Sequence, residues 1–234
     1  MLVSPKAIGT IARMWADVTR ASFTDSIINL LLHSERYLCG PSEYIHYEKA
    51  FASYHVIARN DLAEKIRGEW IFMTDTDHIF RPDTLIRLLD IKKRSGAGVV
   101  SGLYLRKFPP HVPVANLWTP EGKVAPLLQW DRTSSWMPIG PVGGGCLLIG
   151  REVLETLGKN PFDTISGLSE DYSFCLRCKE NNIPIVLATQ VQSHHVIETC
   201  TSAEDFPGIE GAYTGKINEK GEIITECNDE KPSP

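Results

Sequence analysis

The run Trp70-Ile71-Phe72-Met73-Thr74, followed directly by Asp75-Thr76-Asp77, constrains this chain more than any other segment. An uncharged run without polar alternation reads as a strand covered on both faces. Such strands belong to α/β sheets with helices above and below, and these sheets bind ligands beyond the carboxyl ends of their strands. Two carboxylates one residue apart at that position repel each other unless a cation offsets them. Mg²⁺ or Mn²⁺, with oxygen ligands, removes that cost and also bridges phosphates. A polar turn capping the next helix accounts for the same triplet without an ion, because Asp-X-Asp is a common sequence. The buried strand in front of it shifts the balance toward a metal.

The surrounding pattern supports an α/β class. Residues 2–4 read as a short first strand ended by Pro5, and residues 8–33 as a helix with Ile11, Met14, Trp15, Val18, Phe23, Ile27 and Leu31 at helical spacing. A strand at 43–47, a helix at 56–66, the strand at 70–74, a helix at 83–93 and a strand at 98–102 follow. That alternation predicts a mainly parallel central sheet flanked by helices. It then breaks: 111–118 and 123–130 read as two strands around a turn at Thr119-Pro120-Glu121-Gly122. A strand at 146–149, helices at 151–157 and 170–181 and a strand at 183–187 complete the pattern, and the residues from 201 onward read as a loosely packed tail or lid.

Composition narrows the class. A length of 234 residues with 42% hydrophobic content fits one large domain with its own core. The net charge of −5 offers no basic excess for nucleic acid, and no apolar run is long enough to span a membrane. The N-terminus lacks the pattern of a secretory signal. The expectation is a soluble, cytoplasmic chain whose six scattered cysteines are free thiols. Cys175 and Cys178 form a single CxxC inside a helix, which reads as structural rather than as half of a zinc site.

Four further constellations carry chemistry. Glu170 and Asp171 open a helix behind Ser169; the helix dipole alone favours acids there, and Ser169 is placed to cap it. His194 and His195 follow the last strand, and adjacent residues there point different ways, so one of them at most faces a given site. Imidazole is a good ligand for Mn²⁺-like ions. Arg59 and Asn60 lie on the helix before the central strand, where an arginine forks onto phosphate or simply caps a surface helix. Gly143-Gly144-Gly145 reads as a loop where backbone approaches a ligand closely.

Together these pieces resemble the GT-A-fold glycosyltransferases of the family-2 type. WIFMTDTDHIFRPDTLIRLL is similar to the metal-binding strand, DxD and following helix of that family. VIARNDLAEKI resembles the helix before the DxD strand. PVGGGCLLIGREVLETLG resembles the acceptor-side loop, strand and helix, SEDYSFCLRCKENNIPI the "ED" helix, and VQSHHV the segment with a late histidine ligand. The likeness covers residues 2–196, and the compact layout is similar to the single-domain members of phages and microbes.

The resemblance implies a GT-A-like (Rossmann-like) domain over residues 1–200, with a nucleotide-sugar half at 1–102 and an acceptor half, partly antiparallel, at 103–200. It implies transfer of a sugar from a UDP-, GDP- or dTDP-linked donor to an acceptor hydroxyl. In that reading Asp75, with Thr76, contacts the nucleotide or its ribose side and joins the metal site. Asp77 binds Mn²⁺ or Mg²⁺, and His195 completes the site, with His194 as the fallback. Arg59, Asn60, Gly144 and Gly145 lie near the donor, and Ser4 and Pro5 end the first strand beside the base. Asp171, with Glu170 beside it, serves as general base in an inverting reaction. His78 is either an additional ligand or a packing residue.

Three other classes fit the sequence less well. A metal-dependent nucleotidyltransferase needs a Gly-rich basic loop near the start, which SPKAIGTI matches poorly. A phosphatase of the DxD type needs its motif near the N-terminus and Thr or Val where Ile79 stands. A non-catalytic nucleotide-sugar-binding module would not need Asp75, Asp77, Asp171 and His195 together. A saccharide, a protein side chain or a modified nucleobase all remain open as acceptor. Trp118, Trp130 and Trp136 lie in the irregular region expected to receive it, where aromatic faces stack on sugars or pack in the core.

Overall fold

The structure is a computed structural model that describes residues 4–15, 19–51, 54–165, 167–197, 213–217 and 223–227. Two compact units divide the chain at Val196 and Ile197. In the first, a seven-stranded sheet combines β1 (Lys6–Trp15), β2 (Glu43–Phe51), β3 (Trp70–Thr74), β5 (Val99–Leu103), β8 (Met137–Pro138), β9 (Cys146–Gly150) and β10 (Ile185–Gln192). The strand order is β2-β1-β3-β9-β5-β10-β8. β1, β2, β3, β5 and β10 run one way, while β9 and β8 run against their neighbours. The sheet is therefore mainly parallel, as expected, with the reversed β9 at its centre.

Both faces are covered. On β3, Ile71 and Met73 enter one core while Trp70 and Phe72 enter the other, the period-2 alternation of a strand buried twice. The first core receives α2 (His55–Glu64), α4 (Arg151–Leu157) and α5 (Glu170–Glu180) through Leu62, Val153 and Phe174. The second receives α1 (Ala21–Leu38) and α3 (Thr84–Ser95) through Ile27, Leu30, Leu85 and Leu88. Cys175 and Cys178 lie buried in the first core as free thiols, so this CxxC is packing. Free thiols also stand at Cys39 and Cys146, while Cys200 lies outside the described residues.

The N-terminal segment departs from the sequence expectation. Residues 6–15 are a strand, not the start of a helix, and the helix begins only at Ala21. β1 sends Ala12 and Met14 into one core and Ile11 into the other, so both its faces are covered, and its apolar residues show no alternation and coincide with helical spacing. Gly9 fits this position, since a Cβ there would fall 2.1 Å from the Trp70 indole. Ser4 and Pro5 precede β1, and residues 2 and 3 of the expected first strand lie outside the described residues. Ser4 and Pro5 stand at the sheet edge opposite Asp75, because β1 runs parallel to β3 and pairs Arg13 with Thr74 at its far end.

Small pieces finish this unit. β6 (Asn116–Trp118) and β7 (Val124–Pro126) form the expected hairpin in shortened form, and β4 (His78–Ile79) pairs antiparallel with β11 (His194–His195). In the second unit β12 (Tyr213–Ile217) and β13 (Ile223–Cys227) form an antiparallel hairpin. The rest of the expected tail or lid lies outside the described residues. Among the described residues no helix is long and apolar enough to cross a membrane.

Candidate active site

The carboxyl edge of the sheet collects the polar residues. β3 leads into Asp75, β5 into Tyr104–Lys107, and β10 into Ser193 and β11. Because β9 is reversed, its preceding glycines reach the same edge, as do the N-terminal turns of α2 and α5.

Arg59 organises the centre. Its side chain is 2% exposed, yet it carries a charge, so each nitrogen needs a partner. Nη2 donates to Asp75 Oδ1 at 3.0 Å, Nη1 to the Gly144 carbonyl at 3.1 Å and Nε to Glu170 Oε1 at 3.3 Å. The guanidinium thus ties three segments together. A Cβ on Gly144 would lie 2.3 Å from its central carbon, so only glycine admits this approach. Asn60, its neighbour, does not share the site. Its amide donates to Asp163 Oδ1 at 2.8 Å and accepts from the Phe162 N–H at 2.9 Å, so its side chain is held away from the Asp75 cluster. Consecutive helical residues do not face the same way.

Asp77 faces a second set. Its Oδ2 accepts from Lys107 Nζ at 3.2 Å and lies 3.4 Å from His195 Nε2, while Oδ1 is 4.0 Å from His78 Nε2. Burial raises its carboxyl, but hydrogen bonding and charge from His195, with His78 and Lys107, outweigh this and hold it well below the usual carboxylate range. His195 donates from Nδ1 to the Leu105 carbonyl at 2.9 Å, so Nε2 is the nitrogen turned to Asp77. The β4–β11 register sets His195 opposite His78 and leaves His194 exposed beside Ile79.

His78 is wholly buried. Its Nδ1 meets Ser193 Oγ at 2.9 Å, it stacks on Phe80, and it meets Tyr104 edge-on. Burial pushes its pKa down to about 4, so the ring is neutral at pH 7. Nε2 has no hydrogen-bond partner. A Cβ on Gly145 would stand 2.6 Å from that nitrogen. The Gly145 N–H donates to Tyr104 Oη at 3.2 Å, and its carbonyl accepts from the Asp75 N–H at 3.4 Å.

The ligand atoms of Asp77, His78 and His195 lie within 4.8 Å of one another. Two ligands each about 2.1 Å from one ion stand about 3 to 4 Å apart. An orphaned, neutral, buried imidazole nitrogen beside an ionised carboxylate fits such an ion, with Ser193 and Leu105 orienting the rings. Asp75, expected as a ligand, gives Oδ1 to Arg59, and the three ligand groups that lie within 4.8 Å of one another are those of Asp77, His78 and His195. Thr76 sits half-buried in the turn between the two aspartates.

Across the site, Glu170 lies between Arg59 and His55, whose Nδ1 is 3.6 Å away. Burial raises the Glu170 carboxyl, but His55 and Arg59 outweigh it and hold it down to about 2. Stability from this group is therefore present above the ordinary value of 4.5 and lost as pH falls through about 2. Glu170→Gln is expected to be less stable than wild type at pH 7, with the gap closing as pH drops toward 2 in denaturant titrations. A gap independent of pH would contradict this. Asp171 Oδ1 accepts the Ser169 hydroxyl and the Tyr172 N–H at 2.8 Å. Ser169 thus occupies the cap position without capping a backbone N–H. Burial raises the Asp171 carboxyl.

Lys107, Tyr104, Ser193 and His55 were not singled out from sequence. They reach the site through folding of loops after β5 and β10 and the start of α2, and no motif marks them.

Comparison with curated proteins gives no match. Among solved structures, the crystal structure of GalNAc-T7 with UDP, GalNAc and Mn²⁺ superposes with a TM-score of 0.57 at 10% identity. It covers 83% of this chain and 44% of that one, so this chain spans under half its length; at this identity the likeness shows a shared fold, GT-A. The family model for glycosyl transferase family 2 matches residues 33–157, which include Arg59, the Asp75–Asp77 turn and the glycine loop. That match spans more than half of the chain, and the chain belongs to glycosyl transferase family 2.

Proposed function

We propose that this protein transfers a sugar from a nucleoside-diphosphate sugar to an acceptor hydroxyl, with inversion, using a divalent ion held by Asp77, His195 and His78. The observation that carries the reading is the convergence of those three ligand groups at the carboxyl end of β3 in a chain of this family. The likeness to a structure holding UDP and Mn²⁺ supports the same choice of donor class and metal. When bound, the ion supplies positive charge against a departing diphosphate.

The chain's own residues do the rest. Arg59 fixes the Asp75 carboxylate, whose place beside the cluster suits the ribose side of the donor. Gly144 and Gly145 hold Arg59, Asp75 and Tyr104 in register through backbone groups, leaving no side chain over the site. An acceptor hydroxyl has a high pKa and must lose its proton as it attacks the anomeric carbon. Asp171 is the group that takes it, and its raised basicity suits that task. Glu170, locked to Arg59 and His55, keeps the start of α5 in place. The acceptor side is formed by residues 103–141 and carries Trp118, which Lys179 covers at 4.0 Å from the ring centroid.

The test is a panel of UDP-, GDP- and dTDP-sugars with Mn²⁺, read by thermal shift and by release of nucleoside diphosphate. One nucleotide class is expected to raise Tm only when the metal is present. No shift with any donor, or an equal shift in EDTA, would sink the metal-dependent reading.

A further inference from the structure

We infer that Lys107 stands in for the metal on Asp77 and, once the ion is bound, moves its ammonium onto the donor's diphosphate. The inference rests on the metal reading above and concerns a residue outside the ligand set.

Asp77 and Asp75 are neutralised differently. Asp75 is paired with Arg59, whose guanidinium is buried and fixed by three acceptors. Asp77 is paired with Lys107 Nζ at 3.2 Å, on the same Oδ2 that His195 faces at 3.4 Å. Among these partners Lys107 is the mobile cation: a long, flexible side chain, 27% exposed, on a segment between β5 and β6.

A divalent ion bound at Oδ2 and the two imidazoles would lie within a few ångströms of that ammonium. Like charges so close in a half-buried site repel strongly. Lys107 then has to leave Oδ2 while its backbone stays put. Its neighbour Leu105 accepts the His195 Nδ1 hydrogen, and Arg106 N–H donates to the Val112 carbonyl at 2.8 Å. The tether keeps the released ammonium near the ion's open side, where a diphosphate would lie. Lysine binds phosphate as a point charge and needs no fork geometry. The same charge that competes with a metal for Asp77 thus helps hold the metal's anionic partner.

Opposite effects on two ligands follow, which loss of structure would not produce. The experiment compares wild type, Lys107→Met and Lys107→Arg. Mn²⁺ binding alone is read by electron paramagnetic resonance of the free ion, and binding of UDP, GDP and dTDP is read by calorimetry with Mn²⁺ and in EDTA. Lys107→Met is expected to bind Mn²⁺ roughly three- to tenfold tighter and the preferred diphosphate roughly tenfold weaker. Lys107→Arg should stay within a few-fold of wild type on the diphosphate. Unchanged or weaker Mn²⁺ binding in Lys107→Met overturns the inference, as does tighter Mn²⁺ with unchanged diphosphate binding. Wild type that binds the diphosphate equally well in EDTA overturns it too, because Lys107 would then replace the metal permanently. Failure of every protein to bind Mn²⁺ identifies the metal reading itself as the error.

Discussion

Asp77→Asn is expected to lower kcat/KM by about a thousandfold or more while the protein stays folded. Asp77 is the only carboxylate in the ligand cluster, and the amide that replaces it has no charge to offset a divalent ion. The loss should therefore appear first in direct Mn²⁺ binding, before any donor is added. Folding is expected to survive, because Asp77 is 30% exposed and its partners Lys107 and His195 reach solvent. Asp75→Asn makes the contrast. It removes one of the two carboxylates paired with the buried Arg59, the other being Glu170, so its main cost should fall on stability. If Asp77→Asn keeps its Mn²⁺ affinity and turns over within tenfold of wild type, the ion does not ride on this residue, and the reading of the cluster falls with it.

What could be read in advance followed from local signals. The Trp70–Thr74 strand announced itself because burial on both faces leaves a continuous apolar run, and the aspartates after it inherited their place from sheet geometry alone. The helix at Arg151–Leu157 and the start of the one at Glu170 were marked by glycine and by acids in the first turn. β1 was misread for the same physical reason that made β3 legible. A strand in the middle of a sheet shows no alternation, and Ile11, Met14 and Trp15 fall on a helical spacing by coincidence. With β1 starting at Lys6, Ser4 and Pro5 stand at the edge opposite Asp75. Asn60 was drawn into the site by adjacency to Arg59, although neighbours on a helix diverge.

The site's supporting groups lay beyond sequence reasoning. Ser193 orients His78 across 115 residues, and Lys107 reaches Asp77 across 30. Neither contact leaves a local pattern, because each depends on where a loop closes after a strand. The choice between His194 and His195 is similar. The resemblance favours His195, and the antiparallel pairing of β11 with β4 turns that imidazole toward Asp77 and leaves His194 exposed, a placement that no local pattern encodes. His78 was recognised only as an alternative, since nothing local shows that its second nitrogen is buried without a partner.

Asp171→Asn separates binding from chemistry. Loss of a general base costs about 10²- to 10⁴-fold in rate, and kcat is expected to fall in that range. Affinity for Mn²⁺ and for the nucleoside diphosphate should stay near wild type, because Asp171 lies on α5 and touches neither Asp77 nor the imidazoles. The Asn side chain can still accept the Ser169 hydroxyl and the Tyr172 N–H, so the start of α5 should hold. The pH profile adds a second signature. Wild type needs Asp171 ionised, and burial raises its carboxyl, so activity should fall on acidification through a midpoint above the ordinary 3.8. In Asp171→Asn the residual rate should lose that acidic limb. A variant that turns over near the wild-type rate with donor binding intact would move the base elsewhere. Glu170 is a poor substitute: Arg59 and His55 already hold its charge, and a carboxylate held down to about 2 is a weak proton acceptor. The two adjacent acids of α5 are thus pushed in opposite directions by their surroundings, which is the pattern expected if Asp171 is the proposed base and Glu170 holds the helix start.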